Sequence, residues 1–353
     1  MRLLVTGGCG FVGSSLAIQF KRENPDYKIV AFDNLKRRGS ELNIARLRKE
    51  GIDFVHGDIR NREDLWAAGD FDVMLECSAE PSVLAGYDGS PDYVLNTNLF
   101  GTINCLELVR KKNASIIFLS TSRVYPIDLI SQQPFTESET RFEISEQASC
   151  PGISARGISE DFPIYSARSL YGATKLASEL LLLEYFQMYG VRGVINRCGV
   201  LTGPWQMGKV DQGVVVLWVA RHHFRQQLSY IGYGGSGKQV RDILHINDLF
   251  RLIRQQVENI DLFNGKTLNV GGGRDISISL LELTSLCEKA TGNSIPIIRH
   301  NEDRKGDIPW YITDCSRVRE LCGWQPVIKP EEIVTEIAEW IRDNQTALEP
   351  ILA

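Results

Sequence analysis

Two residues with reactive side chains, Tyr171 and Lys175, stand four positions apart in the middle of the sequence. If this segment is helical, the spacing places the phenol and the ammonium on one face, one turn apart. An ammonium close to a phenol lowers the phenol pKa, so that the phenolate can take a proton from a hydroxyl group near neutral pH. Such a pair also arises by chance, and its meaning therefore depends on where the fold places it.

A run of three hydroxyl residues, Ser120-Thr121-Ser122, follows a β-branched stretch upstream of this pair. At the end of a buried strand, such a run would supply the hydroxyl that holds a substrate oxygen. A Ser/Thr run in this position is otherwise typical of a turn. The run gains its chemical meaning only beside the tyrosine and the lysine.

Glycines at positions 7, 10 and 13 lie between a strand-like run and a helix-like run that begins at Phe11 and Val12. These glycines permit a tight turn, a close backbone approach to a pyrophosphate, and close packing of the helix against the strand. The helix N-terminus supplies aligned N–H donors to the same anion. A lone glycine pattern is a weak signal, but between a strand and a helix it indicates dinucleotide binding.

An acidic residue, Asp33, ends the second strand-like run, at the distance from the glycine turn that dinucleotide-binding folds use. A carboxylate here can bind the ribose hydroxyls of NAD and repels the 2′-phosphate of NADP. Arg37 and Arg38 could accept that phosphate, so NADP is the alternative, although the carboxylate favours NAD. Asp58 and Ile59 end the third strand-like run, where the adenine edge would lie.

Alternating segments predict how these residues are positioned. Helix-like stretches, at 11–23, 41–50, 96–112 and 169–189, separate short β-branched runs, at 3–5, 28–32, 52–56, 71–75, 115–119 and 191–197. This rhythm predicts an α/β fold with a Rossmann-type, doubly wound parallel sheet and helices on both faces. The Tyr–Lys pair then falls between the fifth and sixth strands, after the hydroxyl run.

The pattern becomes less regular after Gly203-Pro204. We expect an NAD-binding Rossmann domain at 1–198, with parts of 236–270 packing back onto it, and a smaller α/β substrate-binding domain mainly at 199–353. The polar stretch 128–166 predicts an extended loop or lid. Two further helices are predicted, at 278–291 with Ser277 as the capping residue and at 330–341.

The composition excludes several classes of protein. The chain of 353 residues can bury a core without disulfides, and its net charge of −5 argues against binding to nucleic acid or to an anionic membrane. Eight scattered cysteines without a C-x-x-C pair disfavour a zinc site, so no metal is expected. The N-terminus does not fit a signal peptide, and the longest apolar stretch, 213–220, is too short to span a membrane. We therefore expect a cytoplasmic protein.

Taken together, the motifs resemble those of an extended short-chain dehydrogenase/reductase. They are T-G-x-x-G-x-x-G, the acid after the second strand, S-T-S and Y-x-x-x-K. The similarity continues through Gly203-Pro204, R-D-I-L-H at 241–245 and R-K-G-D at 304–307, which points to nucleotide-sugar epimerases and dehydratases. Within this family the sequence is most similar to the CDP-paratose (CDP-tyvelose) 2-epimerases, through T-E-S-E-T-R at 136–141 and G-K-Q-V-R-D at 237–242.

The resemblance assigns Thr121, Tyr171 and Lys175 to catalysis. It implies NAD contacts from Tyr171 and Lys175 and from a larger set, Gly7, Gly10, Phe11, Val12, Gly13, Asp33, Asn34, Arg37, Asp58, Ile59, Ser78 and Asn98. It implies that Arg241 and Arg304 pair with the diphosphate of a nucleotide sugar, a charge pairing that also makes independent sense. The remaining expected substrate contacts are Glu80, Ser82, Arg123, Asp307 and Tyr311. By analogy with relatives, we expect a homodimer through helices 96–112 and 169–189.

The implied reaction is an epimerisation, in which NAD oxidises a sugar carbon to a ketone and then reduces it from the other face. The resemblance places this at C2 of a CDP-linked 3,6-dideoxyhexose. The segment E-C-S-A-E at 76–80 departs from the more usual H-[LT]-A-A-Q pattern, and Val200 replaces an asparagine of many relatives, so the sugar and the base stay open.

Three alternatives follow from the same motifs: a UDP-sugar 4-epimerase, a 4,6-dehydratase or reductase, and a non-catalytic NAD-binding regulatory protein. A dehydratase typically carries Asp-Glu after the strand-five threonine, where this chain has Ser122-Arg123. A regulator would be expected to lack the tyrosine or the lysine, and both are present. Two other polar residues, His245 and Asp248, are expected to brace a loop.

Overall fold

Short apolar segments form the strands of the protein, and amphipathic segments form its helices. The structure, a computed structural model, describes residues 1–87, 89–209, 212–302 and 306–353. The strands are β1 (Arg2–Thr6), β2 (Lys28–Asp33), β3 (Asp53–His56), β4 (Val73–Glu76), β5 (Ser115–Thr121), β6 (Phe135–Glu137), β7 (Phe142–Ile144), β8 (Ile153–Ser154), β9 (Gly157–Ile158), β10 (Arg192–Cys198), β11 (Val200–Thr202), β12 (Leu228–Ile231), β13 (Val240–His245), β14 (Lys266–Val270), β15 (Ser277–Ser279), β16 (Ile297–His300) and β17 (Trp310–Tyr311).

The helices lie between these strands and after them. They are α1 (Phe11–Glu23), α2 (Leu42–Lys49), α3 (Arg62–Ala67), α4 (Asp92–Leu95), α5 (Gly101–Lys112), α6 (Ile127–Ser131), α7 (Leu170–Tyr189), α8 (Val214–His223), α9 (Ile246–Glu258), α10 (Ile260–Phe263), α11 (Leu280–Thr291), α12 (Ser316–Cys322), α13 (Pro330–Asp343) and α14 (Gln345–Leu352). A π-helical turn, Asn96–Phe100, precedes α5. Among the described residues, each helix is too short or too polar to cross a lipid bilayer.

Seven strands form the central sheet, in the order β14-β10-β5-β4-β1-β2-β3. The middle strand β1 pairs in parallel with β2 on one side and β4 on the other. The chain builds β1, β2 and β3 outward and then crosses to β4, so the order reverses between β1 and β4, where ligands of such sheets bind. The predicted Rossmann-type fold and its six strands are confirmed. The seventh strand, β14, is not among the predictions because its sequence, KTLNV, lacks a clear apolar run.

Two compact units divide the chain, and neither is continuous in sequence. Unit 1 comprises residues 1–124, 170–197 and 249–268 and holds most of the central sheet. Unit 2 comprises 125–169, 198–248 and 269–353. The two units therefore do not follow the single domain boundary predicted at residue 198, because the polar stretch 125–169 belongs to unit 2.

Backbone hydrogen bonds and ring packing explain these memberships. Phe142 N–H donates to Lys238 O at 2.9 Å and Ile158 N–H donates to Ile312 O at 2.8 Å, which joins the polar stretch to other segments of unit 2. In unit 1, the Phe250 ring of α9 packs edge-on against Phe20 of α1, with ring centroids 5.0 Å apart. The predicted loop or lid thus contains two hairpins, β6-β7 and β8-β9.

A second, four-stranded sheet forms in unit 2, where β13 pairs with β11, β15 and β17. The helix that follows β15 begins later than predicted. Ser279, not Ser277, is its N-cap, and Ser279 forms a capping box with Glu282. Ser277 instead belongs to β15, because its extended backbone pairs with Asp242.

The packing of α1 onto the glycine turn generates a stability prediction. A Cβ atom at Gly13 would lie 2.2 Å from Gly7 O and 2.9 Å from Gly8 Cα, which are backbone atoms that cannot move aside cheaply. We expect Gly13→Ala to lower the free energy of unfolding by about 1–3 kcal/mol in urea denaturation. Gly89→Ala is the matched control, because a Cβ there meets no atom within 4 Å. Equal stability of the two variants would contradict this packing.

Candidate active site

The turn between β1 and α1 forms an anion-binding cradle. Gly7 adopts φ +64°, and Gly10 N–H donates to Gly7 O at 2.9 Å, which closes the turn. The helix that follows has Gly10 as its N-cap, with no side-chain cap and no acidic residue in its first turn. The amides of Phe11, Val12 and Gly13 are therefore free of side-chain caps and suit a pyrophosphate.

Asp33 ends β2 beside this turn. Its Oδ2 accepts a hydrogen bond from Cys9 N–H at 3.0 Å and its Oδ1 accepts one from Leu35 N–H at 2.8 Å. Burial raises the pKa of Asp33, and these backbone donors counteract that effect. The turn, the uncapped helix start and the carboxylate fit the pyrophosphate and a ribose of NAD.

The end of β3 carries a second acidic group, Asp58. Its Oδ2 accepts hydrogen bonds from Asn34 Nδ2 at 2.8 Å and from Arg60 Nη2 at 2.6 Å. Burial would raise the pKa of Asp58, but the hydrogen bonds from Arg60 and Asn34 outweigh burial and lower this pKa to about 2. The Ile59 side chain, in contrast, packs into the core of unit 1, so only its backbone could face a cofactor. The Arg60 guanidinium lies 5.0 Å from the centre of the Tyr93 ring, and neither residue is among the predictions.

Four further predicted contacts come together after β4. Asn98 Oδ1 accepts from Glu80 N–H at 2.8 Å, while Asn98 Nδ2 donates to Glu80 O at 3.1 Å. Ser82 N–H donates to the Glu80 carboxylate at 3.1 Å, and Ser78 N–H donates to Glu76 at 3.1 Å. The Glu80 carboxylate therefore stabilises its own turn. Arg37 stabilises a turn as well, because its carbonyl oxygen accepts from the Ser40 hydroxyl at 2.6 Å.

The three predicted catalytic residues all lie in unit 1. Tyr171 and Lys175 occupy the first two turns of α7, and Thr121 is the last residue of β5. The Lys175 side chain is 2% exposed, and its ammonium lies 3.9 Å from the centre of the Phe118 ring and 3.7 Å from Glu76 Oε2. Thr121 Oγ1 accepts from Arg123 N–H at 3.2 Å, which leaves its own proton to donate.

A buried ion pair next to these residues was not anticipated by the sequence motifs. Glu179, one turn after Lys175, accepts from Arg197 Nη2 of β10 at 2.8 Å and from Arg197 Nε at 3.1 Å. The Ser120 hydroxyl of β5 donates to the same carboxylate. Ser120 therefore stabilises α7, whereas the Thr121 oxygen next to it accepts from Arg123 N–H. The sequence signal that could have identified this ion pair is that Glu179 and Arg197 are charged residues in otherwise apolar segments.

Unit 2 brings two of the predicted substrate contacts together. Arg241 of β13 donates from Nη2 to Asp307 Oδ1 at 2.6 Å and to Ile308 O at 2.8 Å. Tyr311 of β17 is 3% exposed, and its ring stacks on Tyr125 with centroids 6.2 Å apart. Burial raises the pKa of Tyr311 far above its usual value. Arg304, the second predicted diphosphate contact, lies outside the described residues.

The expected structural roles of His245 and Asp248 are confirmed. His245 Nδ1 accepts from Asn247 N–H at 3.2 Å, and Asp248 Oδ2 accepts from the N–H groups of Val327 and Ile328 at 2.9 and 3.0 Å. In the part of the chain that the structure describes, no three His, Cys, Asp or Glu side chains are grouped closely enough to hold a metal ion.

Comparison with known proteins assigns this arrangement to a family. The model of the NAD dependent epimerase/dehydratase family matches residues 3–271. The CDP-paratose 2-epimerase of Salmonella typhi is 32% identical, over 96% of this chain and 99% of that protein. A dTDP-glucose 4,6-dehydratase of Mycobacterium tuberculosis is 28% identical, over 99% of this chain and 96% of that protein.

The fold is also that of a solved structure with the cofactor bound. A UDP-glucuronic acid 4-epimerase from Bacillus cereus, in complex with UDP-glucuronic acid and NAD, aligns with a TM-score of 0.79 and 24% identity. The alignment covers 97% of this chain and 99% of that one. The geometry of the glycine turn and of Asp33 fits NAD. The family model covers most of the chain, which therefore is an NAD-dependent enzyme that belongs to the NAD dependent epimerase/dehydratase family.

Proposed function

We propose that the protein is a nucleotide-sugar epimerase that inverts C2 of a CDP-linked 3,6-dideoxyhexose. The observation that carries the proposal is the set Thr121, Tyr171 and Lys175, placed at the end of β5 and the start of α7. The full-length similarity to a CDP-paratose 2-epimerase supports the choice of substrate. A cytoplasmic location stays a prediction of the sequence.

The residues of unit 1 supply the acid–base part of this reaction. When bound, NAD supplies the capacity to accept a hydride from a carbon atom and to return it. Tyr171, as phenolate, takes the proton of the sugar hydroxyl, and Thr121 donates a hydrogen bond to the same oxygen. The planar ketone then rotates so that its other face is reduced. Tyr171 returns the proton once the configuration is inverted. Lys175 stabilises the phenolate by its positive charge.

The residues of unit 2 are proposed to hold the nucleotide diphosphate. Arg241, and Arg304 with it, would bind the diphosphate oxygens by charge-assisted hydrogen bonds. Asp307 accepts from Arg241 at 2.6 Å and so holds the guanidinium in place. Arg241 and Asp307 both belong to unit 2.

A UDP-sugar 4-epimerase is the second candidate, because a solved 4-epimerase shares the fold. A dehydratase is disfavoured by the two residues that follow Thr121. They are Ser122 and Arg123, and neither supplies an acidic side chain for an elimination. A non-catalytic regulator is disfavoured by the intact Tyr171–Lys175 pair.

An apolar face of α7 supports the proposed homodimer. Leu180 is 54% exposed and Leu183 is 39% exposed, and Phe100 before α5 is 54% exposed. Leu180 and Leu183 are three residues apart and hence lie on one face of the helix. Two copies of this face would cover each other in a homodimer. Sedimentation at several protein concentrations tests whether this homodimer forms.

The proposed reaction is tested by a substrate screen. Purified protein is incubated with CDP-, UDP-, GDP- and dTDP-linked sugars, and proton NMR follows the configuration at each carbon. Inversion at C2 of a CDP-linked 3,6-dideoxyhexose is the expected result. Inversion at C4 of a UDP-sugar would establish the second candidate, and loss of water would establish a dehydratase.

Tyr171→Phe keeps the ring and removes the oxygen that titrates. We expect the variant to fold and to retain NAD, while turnover falls by roughly 10²–10⁴, the range of a general acid–base contribution. Tyr185→Phe is the control on the same helix, because the Tyr185 hydroxyl binds Glu107 at 2.7 Å, away from the predicted site. Near-normal turnover of Tyr171→Phe in a steady-state assay would contradict the assignment.

Arg241→Ala removes a positive charge from the proposed diphosphate site. We expect nucleotide-sugar binding to weaken by about 2–5 kcal/mol, the usual range for the loss of one partner of such a pair. Calorimetric titration with CDP measures this effect, and Arg304→Ala is expected to behave in the same way. Arg192→Ala, which breaks an exposed pair with Asp261, is the control. Unchanged CDP binding would remove Arg241 from the site.

A further inference from the structure

A carboxylate lies in the interior beside Lys175. Glu76, the last residue of β4, is 0% exposed. Its Oε1 accepts from Ser78 N–H at 3.1 Å. Its Oε2, among the described residues, has no hydrogen-bond partner and faces the Lys175 ammonium at 3.7 Å. This distance is too long for a hydrogen bond, yet two buried opposite charges this close interact strongly.

The neighbouring elements provide Glu76 with few other charges. The thiol of Cys105 faces it from α5, and burial first, then the charge of Glu76, raise the pKa of this thiol far above its usual value. The thiol is therefore neutral. From β1, Thr6 pairs with Glu76 in register, and its uncharged hydroxyl donates to Leu75 O at 3.5 Å. Burial raises the pKa of Glu76, and the Lys175 charge opposes this effect. Lys175 is thus the counter-charge of the carboxylate.

We propose that Glu76 is a positioning residue, which holds the Lys175 ammonium beside the sheet and raises the pH at which Tyr171 exchanges its proton. This inference rests on the proposed role of Tyr171 as proton acceptor. The carboxylate offsets part of the field of the ammonium, so the phenol gives up its proton less readily than it would beside an isolated lysine.

The test uses Glu76→Gln, which keeps an oxygen for Ser78 N–H and removes the charge. Ultraviolet difference absorbance follows phenolate formation without any cofactor or substrate. Because the chain has 11 tyrosines, each protein is compared with its own Tyr171→Phe version to isolate the Tyr171 signal. We expect the midpoint of that signal to fall by about one pH unit, since a nearby negative charge is lost. An unchanged or higher midpoint overturns the proposal.

The pH profile of turnover gives a second measurement. In Glu76→Gln, the acid limb of kcat/KM is expected to move to lower pH by a similar amount, because the phenolate persists there. A mere loss of folded protein would lower kcat/KM at every pH without moving this limb. That outcome would also count against the proposal.

A double variant tests the charge pair itself, even if Glu76→Gln alone folds poorly. Lys175→Met leaves the Glu76 carboxylate buried without a counter-charge and should lower the thermal midpoint. Adding Glu76→Gln removes that uncompensated charge, and we expect at least half of the loss to be regained. Additive losses in the double variant would show that the two residues do not compensate each other.

Asp248→Asn is the matched control, because Asp248 is also a buried carboxylate but lies in unit 2 and binds backbone N–H groups. It should cost stability and leave the Tyr171 titration unchanged. A shift in this control as large as that of Glu76→Gln would overturn the proposal. The titration requires no substrate, so a failed substrate screen with a shifted titration would reject the proposed function and leave the role of Glu76 standing.

Discussion

The buried ion pair between Glu179 and Arg197 is the interaction on which the arrangement of unit 1 depends. Both side chains are almost fully buried, and the Ser120 hydroxyl completes the group. Because an unpaired buried charge costs several kcal/mol, the helix that carries Glu179 can take only the position that satisfies it. One carboxylate therefore fixes α7 against two neighbouring strands, β5 and β10.

Because of helical spacing, the fixed position of α7 also determines where its predicted catalytic residues lie. Lys175 lies one turn before Glu179, and Tyr171 lies one turn before Lys175, so the rotation that satisfies the carboxylate also directs both residues. At the end of β5, the Ser120 hydroxyl binds the Glu179 carboxylate of α7, and Thr121 beside it is the proposed substrate contact. A second buried pair, Lys175 with Glu76, repeats the principle at the end of β4. The site is thus assembled from charges that must be compensated in the interior.

In unit 2, the arginine that we propose as a substrate contact is paired with a carboxylate within the protein. Arg241 extends from β13 and is fixed by the Asp307 carboxylate and two backbone carbonyl groups. An arginine fixed in this way loses little side-chain freedom when an anion binds. The stretch 125–169 belongs to the same unit through backbone hydrogen bonds. Its two hairpins pair within the stretch and bind Lys238 and Ile312, partners distant in sequence that the local sequence does not reveal.

The sequence by itself determined the Rossmann-type fold, the glycine turn, Asp33 and the Tyr171–Lys175 pair, because each depends on local spacing along one strand or one helix. It also identified the family, whose motifs are short and ordered along the chain. Only the tertiary structure decided the compensation of Glu179 by Arg197 and of Lys175 by Glu76, and the membership of residues 125–169 in unit 2. These features depend on contacts between residues distant in sequence. A local sequence pattern does not indicate which buried charges will pair with each other. The cap of α11 moved from Ser277 to Ser279 for the same reason, since pairing with β13 keeps Ser277 in a strand.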